Sequence, residues 1–285
     1  MIRDYHPTDL SSIVTLVMAD RPSMNLDLIQ SRMEKMGRVY EENGVIKGVS
    51  ARTEQRETPV GTRADVWVFT APALRRRGIG TALWNEAWSS ISQDAPHFLS
   101  TTYRGDQGDG PEFYARRGFG YWLAVHSMAY QGPAVEYSSA LFPVPYKDDF
   151  FYDFIRLTNE GFLGLRQEND ILPHQCYPPG FDEVAERERL DKEKDNIYFF
   201  RDGTGEIVGY AFVDSNVVDT VTVTNAHTRK GYGREMMFFC IKLIIERGHS
   251  NVTLEVVETN RGAKKLYDSL GFTLVESTHV ARRFL

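Results

Sequence analysis

The sequence predicts a mixed α/β or α+β fold that is built twice in one chain. Three observations support this: strand-like and helix-like segments alternate, a basic glycine turn occurs twice, and special residues recur at a fixed offset. The chain has 285 residues, which is enough for two domains of ordinary size. We therefore expect two tandem domains rather than one large one.

The repeat is visible as a constant spacing. An offset of 153 residues places Gly78 on Gly231, Tyr114 on Tyr267 and Phe119 on Phe272. Three prolines and weak periodicity in residues 131–149 indicate the join between the copies. We expect an N-terminal domain over 1–132, a linker over 133–148 and a C-terminal domain over 149–285.

Each copy follows one order of elements. After an opening strand and helices, the first copy has a hairpin with an Asn43-Gly44 turn. A strand (65–70), a glycine turn, a helix (78–92), a second strand (97–103), a short helix ending at Gly118 and a last strand follow. The second copy repeats this plan from VVDTVTVT (217–224) to RGAKKLYDSLGF (261–272).

The composition excludes several classes of function. A net charge of −6 argues against a nucleic-acid partner, because phosphate binding needs a basic face. Cys176 and Cys240 form neither a disulfide framework nor a zinc knuckle, and the sequence shows no metal site. The N-terminus lacks a signal-peptide core, and the most apolar run (236–245) is too short to cross a bilayer. We expect a cytoplasmic protein without a membrane partner.

The two basic glycine turns, LRRRGIG (74–80) and HTRKGYG (227–233), have the features of a phosphate site. Glycine permits a positive φ and a close backbone approach, and the first turn of the following helix presents free N–H groups. The helix dipole and the arginines favour an anion there. The P-loop and G-x-G-x-x-G patterns are absent, and a solvated basic face is the alternative.

The stretch LRRRGIGTAL resembles the acyl-CoA pyrophosphate loop, Q/R-x-x-G-x-G/A, of the GNAT superfamily of N-acetyltransferases. Arg75, Gly78 and Gly80 fill its fixed positions. In the second copy, Asn260 and then Ala263, Tyr267, Gly271 and Phe272 match the pattern that follows the loop in that family. The resemblance implies two tandem GNAT-like domains, each with a mixed, mostly antiparallel sheet flanked by helices.

The two copies depart from the pattern differently. The first has an intact loop, but Gln107 and Gly110 replace the Asn and Ala. The second has Thr228 where Arg or Gln is usual, although two basic residues follow it. The first copy is therefore the better phosphate cradle, and the second has the more complete signature beyond the loop.

The resemblance implies an enzyme that transfers an acetyl group from acetyl-CoA to an amine of a small molecule or peptide, without a metal. The pantetheine arm of acetyl-CoA is expected to pair with the strand before each loop, at Val68, Phe69, Thr70, Val221, Thr222 and Val223. The phosphates of acetyl-CoA are expected at the two loops, with Asn260 nearby. The loop residues expected to bind them are Arg75, Arg76, Arg77, Gly78, Ile79, Gly80, Thr81, Arg229, Lys230, Gly231, Tyr232, Gly233 and Arg234.

The departing thiolate needs a proton, and a tyrosine can supply it at neutral pH. Tyr267 is the first candidate for this acid and Tyr114 its counterpart, while simple core packing is the alternative. Asp65, Asp219, Glu255 or a water chain could take the proton of the amine. His126 and His279 match between copies and are expected to be structural.

We favour the C-terminal domain as catalytic, and catalysis by the N-terminal domain stays open. The alternative function is a non-catalytic CoA-binding sensor or interaction module. Many single GNAT domains bury surface by dimerising, so two fused copies predict a monomer that contains an intrachain pseudo-dimer.

Overall fold

The computed structural model describes residues 1–22, 24, 26–105, 108–136 and 138–285. The chain forms two compact units. The first unit contains Met1–His126 together with Val275–Leu285, and the second contains Ser127–Leu274. Gln107, which departs from the family pattern in the first copy, lies outside the described residues.

The elements alternate as the sequence predicts. The helices are α1 Leu10–Met18, α2 Leu26–Met36, α3 Ile79–Asp94, α4 Gly110–Ala115, α5 Phe151–Glu168, α6 Glu183–Lys192, α7 Tyr232–Glu246 and α8 Arg261–Ser269. The strands are β1 Ile2–Asp4, β2 Gly37–Glu42, β3 Val45–Arg52, β4 Arg63–Thr70, β5 Phe98–Arg104, β6 Gly120–Tyr130, β7 Phe142–Pro145, β8 Ile197–Arg201, β9 Ile207–Asp214, β10 Val217–Val223, β11 Val252–Val257 and β12 Thr273–Phe284. The predicted mixed α/β class is confirmed.

The first unit has a mostly antiparallel sheet in the order β1-β2-β3-β4-β5-β12. Only the step from β4 to β5 is parallel among the pairings described for this unit. Side chains alternate along β4, so Trp67 packs with α1 and α2, whereas Val66 packs with α3 and α4. We call these two sides the α1–α2 face and the α3–α4 face.

The second unit repeats the same plan, in the order β11-β10-β9-β8-β7, with β10 parallel to β11. Its α7 inserts a run of fully buried side chains into the core, namely Met236, Met237, Cys240, Ile241 and Ile244. The spacing of these residues gives α7 one apolar face, which explains why so hydrophobic a helix is a core helix.

The last eleven residues, Val275–Leu285, belong to the first unit. Strand β12 pairs antiparallel with β5, with partners from Thr278 and Arg104 to Phe284 and Phe98. The division expected from the sequence (1–132, 133–148, 149–285) follows chain order and assigns this segment to the C-terminal domain. The compact units differ from it there, because strand pairing ties the C-terminus to β5.

Within the described part of the chain, no helix is both long and apolar enough to cross a bilayer. The longest apolar helix segment is in α7, which is buried in the second unit.

Candidate functional site

The parallel strands β4 and β5 separate partway along their length. Their pairing covers Arg63 to Asp65 of β4, whereas the following residues of β4, up to Thr70, pair with β3 on the other side. In the second unit, β10 pairs with β11 only at Val217 and Val218, whereas its residues up to Val223 pair with β9 on the other side. Each unit therefore has, beside its glycine loop, a strand edge that the neighbouring parallel strand does not cover. In the first unit, Tyr114 and Arg75 bind backbone groups of Val68 and Thr70 at this edge.

The two glycine loops have matching backbone conformations. Arg76 and Gly78 have φ angles of 64° and 83°, and the equivalent Arg229 and Gly231 have 62° and 90°. In each loop the glycine directly precedes a long helix, α3 or α7. Such consecutive turns direct backbone N–H groups to one point and form an anion-binding concavity.

Both glycine loops have room for a phosphate. A Cβ atom added at Gly78 or Gly231 would meet no other atom within 4 Å, so the space at both glycines is open. A phosphate group there could accept hydrogen bonds from the helix N-terminus, as the sequence predicts for the pyrophosphate of acetyl-CoA.

A cavity of about 600 Å³ lies in the first unit, between the glycine loop and the separated strands. This volume is in the range of sites that hold small molecules and cofactors. Many predicted residues line it, namely Val68, Phe69, Thr70, Arg75, Arg76, Gly78, Gly80, Thr81 and Tyr114. It also extends to the α1–α2 face, where Asp20, Arg21, Thr102 and Arg104 line it.

Some predicted residues can reach a ligand only through their backbone. The side chains of Phe69, Ile79 and Thr222 are buried in the two units. Arg77, Arg229 and Lys230 are exposed, as a phosphate-binding or a solvated cation would be. The strand and loop positions therefore fit the predicted ligand mainly by backbone geometry.

Arg75 has protein partners on the α1–α2 side of the loop. Its Nη2 donates to the Asp20 carboxylate, and its Nε donates to the Thr70 carbonyl at 3.2 Å. Arg76 instead donates to Glu112 at 3.0 Å on the surface. Arg75 therefore fixes the glycine loop to the end of α1, a structural role that the sequence does not predict.

Tyr114 lies at the point where β4 and β5 separate. Its hydroxyl accepts a hydrogen bond from the Val68 N–H at 3.1 Å, and its ring stacks on Tyr103 at 5.2 Å between centroids. Burial raises the pKa of the Tyr114 phenol, so it stays protonated at neutral pH. Because Tyr114 is among the residues that line the cavity, it is the candidate proton donor of the first unit.

Tyr267 is less buried than Tyr114 and packs its ring against Phe272 at 5.9 Å. Burial raises the pKa of Tyr267 to about 12. Asn260 caps α8, because its Oδ1 accepts a hydrogen bond from the Ala263 N–H at 3.2 Å. A volume of about 590 Å³ in the second unit has neither Tyr267 nor Gly231 in its lining.

The candidate bases have surface partners. Asp65 pairs with Arg56 at 2.9 Å and also with Arg63, which satisfies its carboxylate at the start of β4. Asp219 accepts a hydrogen bond from Thr220, and Glu255 accepts one from Ser127 at 3.3 Å. These contacts give each carboxylate a structural explanation.

Sequence reasoning missed the polar residues on the α1–α2 face of the cavity. Arg21 is only 4% exposed, and its Nε donates to Glu276, which is fully buried in β12. Its Nη2 donates to Thr278 Oγ1 at 3.0 Å, and Arg104 donates to the Asp20 carbonyl. The one signal for this group is the charged pair Asp20-Arg21 directly after the apolar α1.

The buried pair of Arg21 and Glu276 predicts a strong coupling in stability. We expect Glu276→Leu alone to lower the free energy of unfolding by about 3–5 kcal/mol, because it leaves a buried guanidinium without its carboxylate. Arg21→Met/Glu276→Leu should recover most of this loss. Urea unfolding followed by tryptophan fluorescence measures it selectively, since all four tryptophans lie in the first unit: Trp67, Trp84, Trp88 and Trp122. Additive losses in the double variant would contradict the coupling.

One group of potential metal ligands occurs among the described residues, although no metal site was expected. Ligand atoms of Asp202, Glu206 and His227 lie within 4.8 Å of one another. Asp202 Oδ1 accepts hydrogen bonds from the Thr204 and Glu206 N–H groups, and His227 Nδ1 lies 2.7 Å from Thr224 Oγ1. These contacts account for the arrangement as a turn capped by Asp202 beside the buried His227.

Comparison with known proteins gives one family and a group of similar folds. Residues 165–272 match the sequence model of the Acetyltransferase (GNAT) family. A curated relative, the [ribosomal protein bS18]-alanine N-acetyltransferase of Haemophilus ducreyi, is 31% identical over 83 residues, or 29% of this chain. The chain spans about half of that relative's length, 53%.

Two solved structures are similar to the whole chain. A GCN5-related N-acetyltransferase from Sphaerobacter thermophilus has a TM-score of 0.74 at 16% identity, with 100% of this chain and 95% of that chain covered. A tandem GNAT protein from the clavulanic acid biosynthesis pathway has a TM-score of 0.66 at 15% identity, with 100% and 97% covered. At such identities the likeness concerns the fold, and it confirms the tandem arrangement.

Proposed function

We propose that the protein transfers an acetyl group from acetyl-CoA to an amine, because residues 165–272 match the sequence model of the Acetyltransferase (GNAT) family and the whole chain is similar in fold to a tandem GNAT protein. The observation that supports this most is the cavity of the first unit. Its lining includes the glycine loop at Gly78, the end of β4 and the buried Tyr114.

We place the bound acetyl-CoA in this cavity. The glycine loop at Gly78 and the start of α3 would hold the pyrophosphate, and the edge of β4 from Val68 to Thr70 would pair with the pantetheine arm in place of its present contacts with Tyr114 and Arg75. The exposed Arg116 and the partly buried Arg117 border the same cavity and add positive charge for the remaining phosphate. Bound acetyl-CoA supplies the thioester carbonyl carbon that accepts the amine.

The reaction needs a proton donor and an attacking amine at opposite sides of the strand opening. The amine nitrogen attacks the carbonyl carbon from the α1–α2 face, and the bond between carbon and sulfur breaks. Tyr114 donates its hydroxyl proton to the departing thiolate; the nitrogen releases its proton to water as the amide forms, and the tyrosinate takes a proton back from water. The Val68 N–H donates to the Tyr114 hydroxyl and so holds this hydroxyl at the edge of β4.

Catalysis in the second unit is the other candidate, and the sequence favours it. The family match covers residues 165–272, and Asn260 and Tyr267 complete the signature of that copy. We propose the first unit because Tyr114 lines a cavity together with the glycine loop at Gly78.

The proposal is tested with full-length protein, acetyl-CoA and a panel of primary amines. We expect release of free CoA thiol only when an amine is present, with the acetylated amine identified by mass spectrometry. Calorimetric titration of acetyl-CoA in parallel separates binding from turnover. Binding without thiol release from any amine would replace the proposed enzyme by the CoA-binding sensor or interaction module.

A further inference from the structure

The α1–α2 face of the first-unit cavity is richer in arginine than acetyl transfer to a simple amine requires. Arg21 and Arg104 line it, and Arg32 of α2 lies directly behind it, with its guanidinium 5.1 Å from the centre of the Trp67 ring. Arg32 also donates to Thr102 Oγ1 at 3.1 Å. Trp67 and Thr102 themselves line the cavity.

The Arg21 guanidinium makes hydrogen bonds to the protein through Nε and Nη2 only, among the described residues. Its Nε and Nη2 donate to Glu276 and Thr278 along one edge of the guanidinium. Among the described residues, no acceptor is bound to its Nη1, so the end formed by Nη1 and Nη2 remains for a ligand. That end presents two parallel N–H groups, which is the geometry that a carboxylate accepts.

The carboxylates near this face do not neutralise it. Glu276 is bound by Arg21, and Asp20 is bound by Arg75 of the glycine loop. Arg32 has no carboxylate within salt-bridge distance among the described residues, and its guanidinium is largely buried. Burial and the charge of the nearby Arg21 lower the pKa of Arg32 to about 10. A second anion at this face would relieve the repulsion between the two cations.

From this arrangement we propose that the acceptor is an amine that also has a carboxylate, such as a free amino acid, that Arg21 binds this carboxylate, and that Arg32 adds positive charge from behind Trp67 and Thr102. The inference rests on the proposed function, because it names the acceptor class of the same cavity. With the carboxylate held on the α1–α2 face, the amine of a small amino acid lies toward the opening between β4 and β5. Glu276 acts as a positioning residue, since it fixes Arg21 from the last strand of the chain.

The test measures acetyl transfer to the L-amino acids and to the same amino acids as carboxamides. We expect the best acid to exceed its amide by about 100-fold in kcat/KM, because the amide leaves buried guanidinium donors unmatched. Arg32→Gln should reduce that ratio to about tenfold or less. The change should appear in the KM of the amino acid and spare the KM of acetyl-CoA.

Two further variants keep the test decisive. Arg21→Gln/Glu276→Gln removes both buried charges together, so it avoids an unpaired ion and should also reduce the preference for the acid. Arg38→Gln is the matched control, because Arg38 is a half-exposed arginine of β2 that pairs with Asp4 and Glu86 outside the cavity. It should keep the wild-type ratio.

The outcomes separate the two proposals. Equal transfer to acids and amides by the wild type would overturn the inference and leave the acetyltransferase proposal intact. The same holds if Arg32→Gln and Arg21→Gln/Glu276→Gln both keep the wild-type ratio of acid to amide. Acetyl-CoA binding without thiol release from any amine would overturn both. A dipeptide that outperforms every free amino acid, with the same dependence on Arg32, supports the carboxylate site and identifies a peptide terminus as its source.

Discussion

Tyr114→Phe is expected to lower the kcat of acetyl transfer by about 100-fold while the dissociation constant of acetyl-CoA stays unchanged. A positioned general acid contributes about 10²–10⁴-fold to a rate, and phenylalanine removes the proton but keeps the ring. The stack of Tyr114 on Tyr103 should persist, since it depends on the ring alone. Initial rates of thiol release at saturating acetyl-CoA measure kcat, and calorimetric titration measures the dissociation constant of acetyl-CoA.

Tyr267→Phe is the matched control, because the two tyrosines occupy equivalent positions of the repeat. We expect it to change kcat by no more than about twofold, as for a side chain that only packs. A large loss in Tyr267→Phe with near-normal activity in Tyr114→Phe would contradict our assignment. It would place the chemistry in the second unit, as the sequence motifs favour.

The sequence motifs favour the second copy as catalytic, whereas the cavity favours the first, and this difference has a physical reason. Motif residues such as Asn260 report which side chains are present, and here that residue caps α8 through the Ala263 N–H. The presence of a cavity depends on how strands separate and which side chains fill the opening, and short spacings in a sequence do not contain that information. The structure therefore adds the cavity beside Tyr114 as a criterion for the catalytic copy.

The loops and strands were predictable because their determinants are local. A glycine between a β-branched strand and an amphipathic helix requires a positive φ, and both Gly78 and Gly231 have one. The α1–α2 face was not predictable, because Arg21 and Glu276 are 255 residues apart in the chain. They meet only because β12 pairs with β5, and that long-range pairing has no signature in the sequence.

Because β12 pairs with β5, a boundary drawn along the sequence does not separate the two compact units. The repeat in the sequence divides the chain in chain order, whereas the buried ion pair and the β5–β12 register place residues from Val275 onward in the first unit. A fragment that ends at residue 132 would therefore lack the strand that positions Arg21. Experiments on the cavity of the first unit need the full chain.

Gly78→Glu is expected to weaken acetyl-CoA binding by at least about 100-fold, which corresponds to about 2.7 kcal/mol. The carboxylate would lie where the backbone N–H groups and the helix dipole of α3 favour the pyrophosphate. Calorimetric titration of acetyl-CoA into the wild type and the variant measures the change. Unaltered affinity would exclude the first glycine loop as the phosphate site.

The control for charge is Gly78→Gln, since it has the same bulk and the same strain at a φ of 83°. It should bind more tightly than Gly78→Glu, and the difference isolates the electrostatic part of the site. Gly231→Glu places the same charge at the equivalent position of the second loop, where φ is 90°. If Gly231→Glu alone abolishes binding, acetyl-CoA is held by the second unit, and the arginine-rich cavity of the first unit requires another ligand. If each variant removes one of two binding events, both loops hold acetyl-CoA, and the effect of Tyr114→Phe on turnover then identifies the loop that serves catalysis.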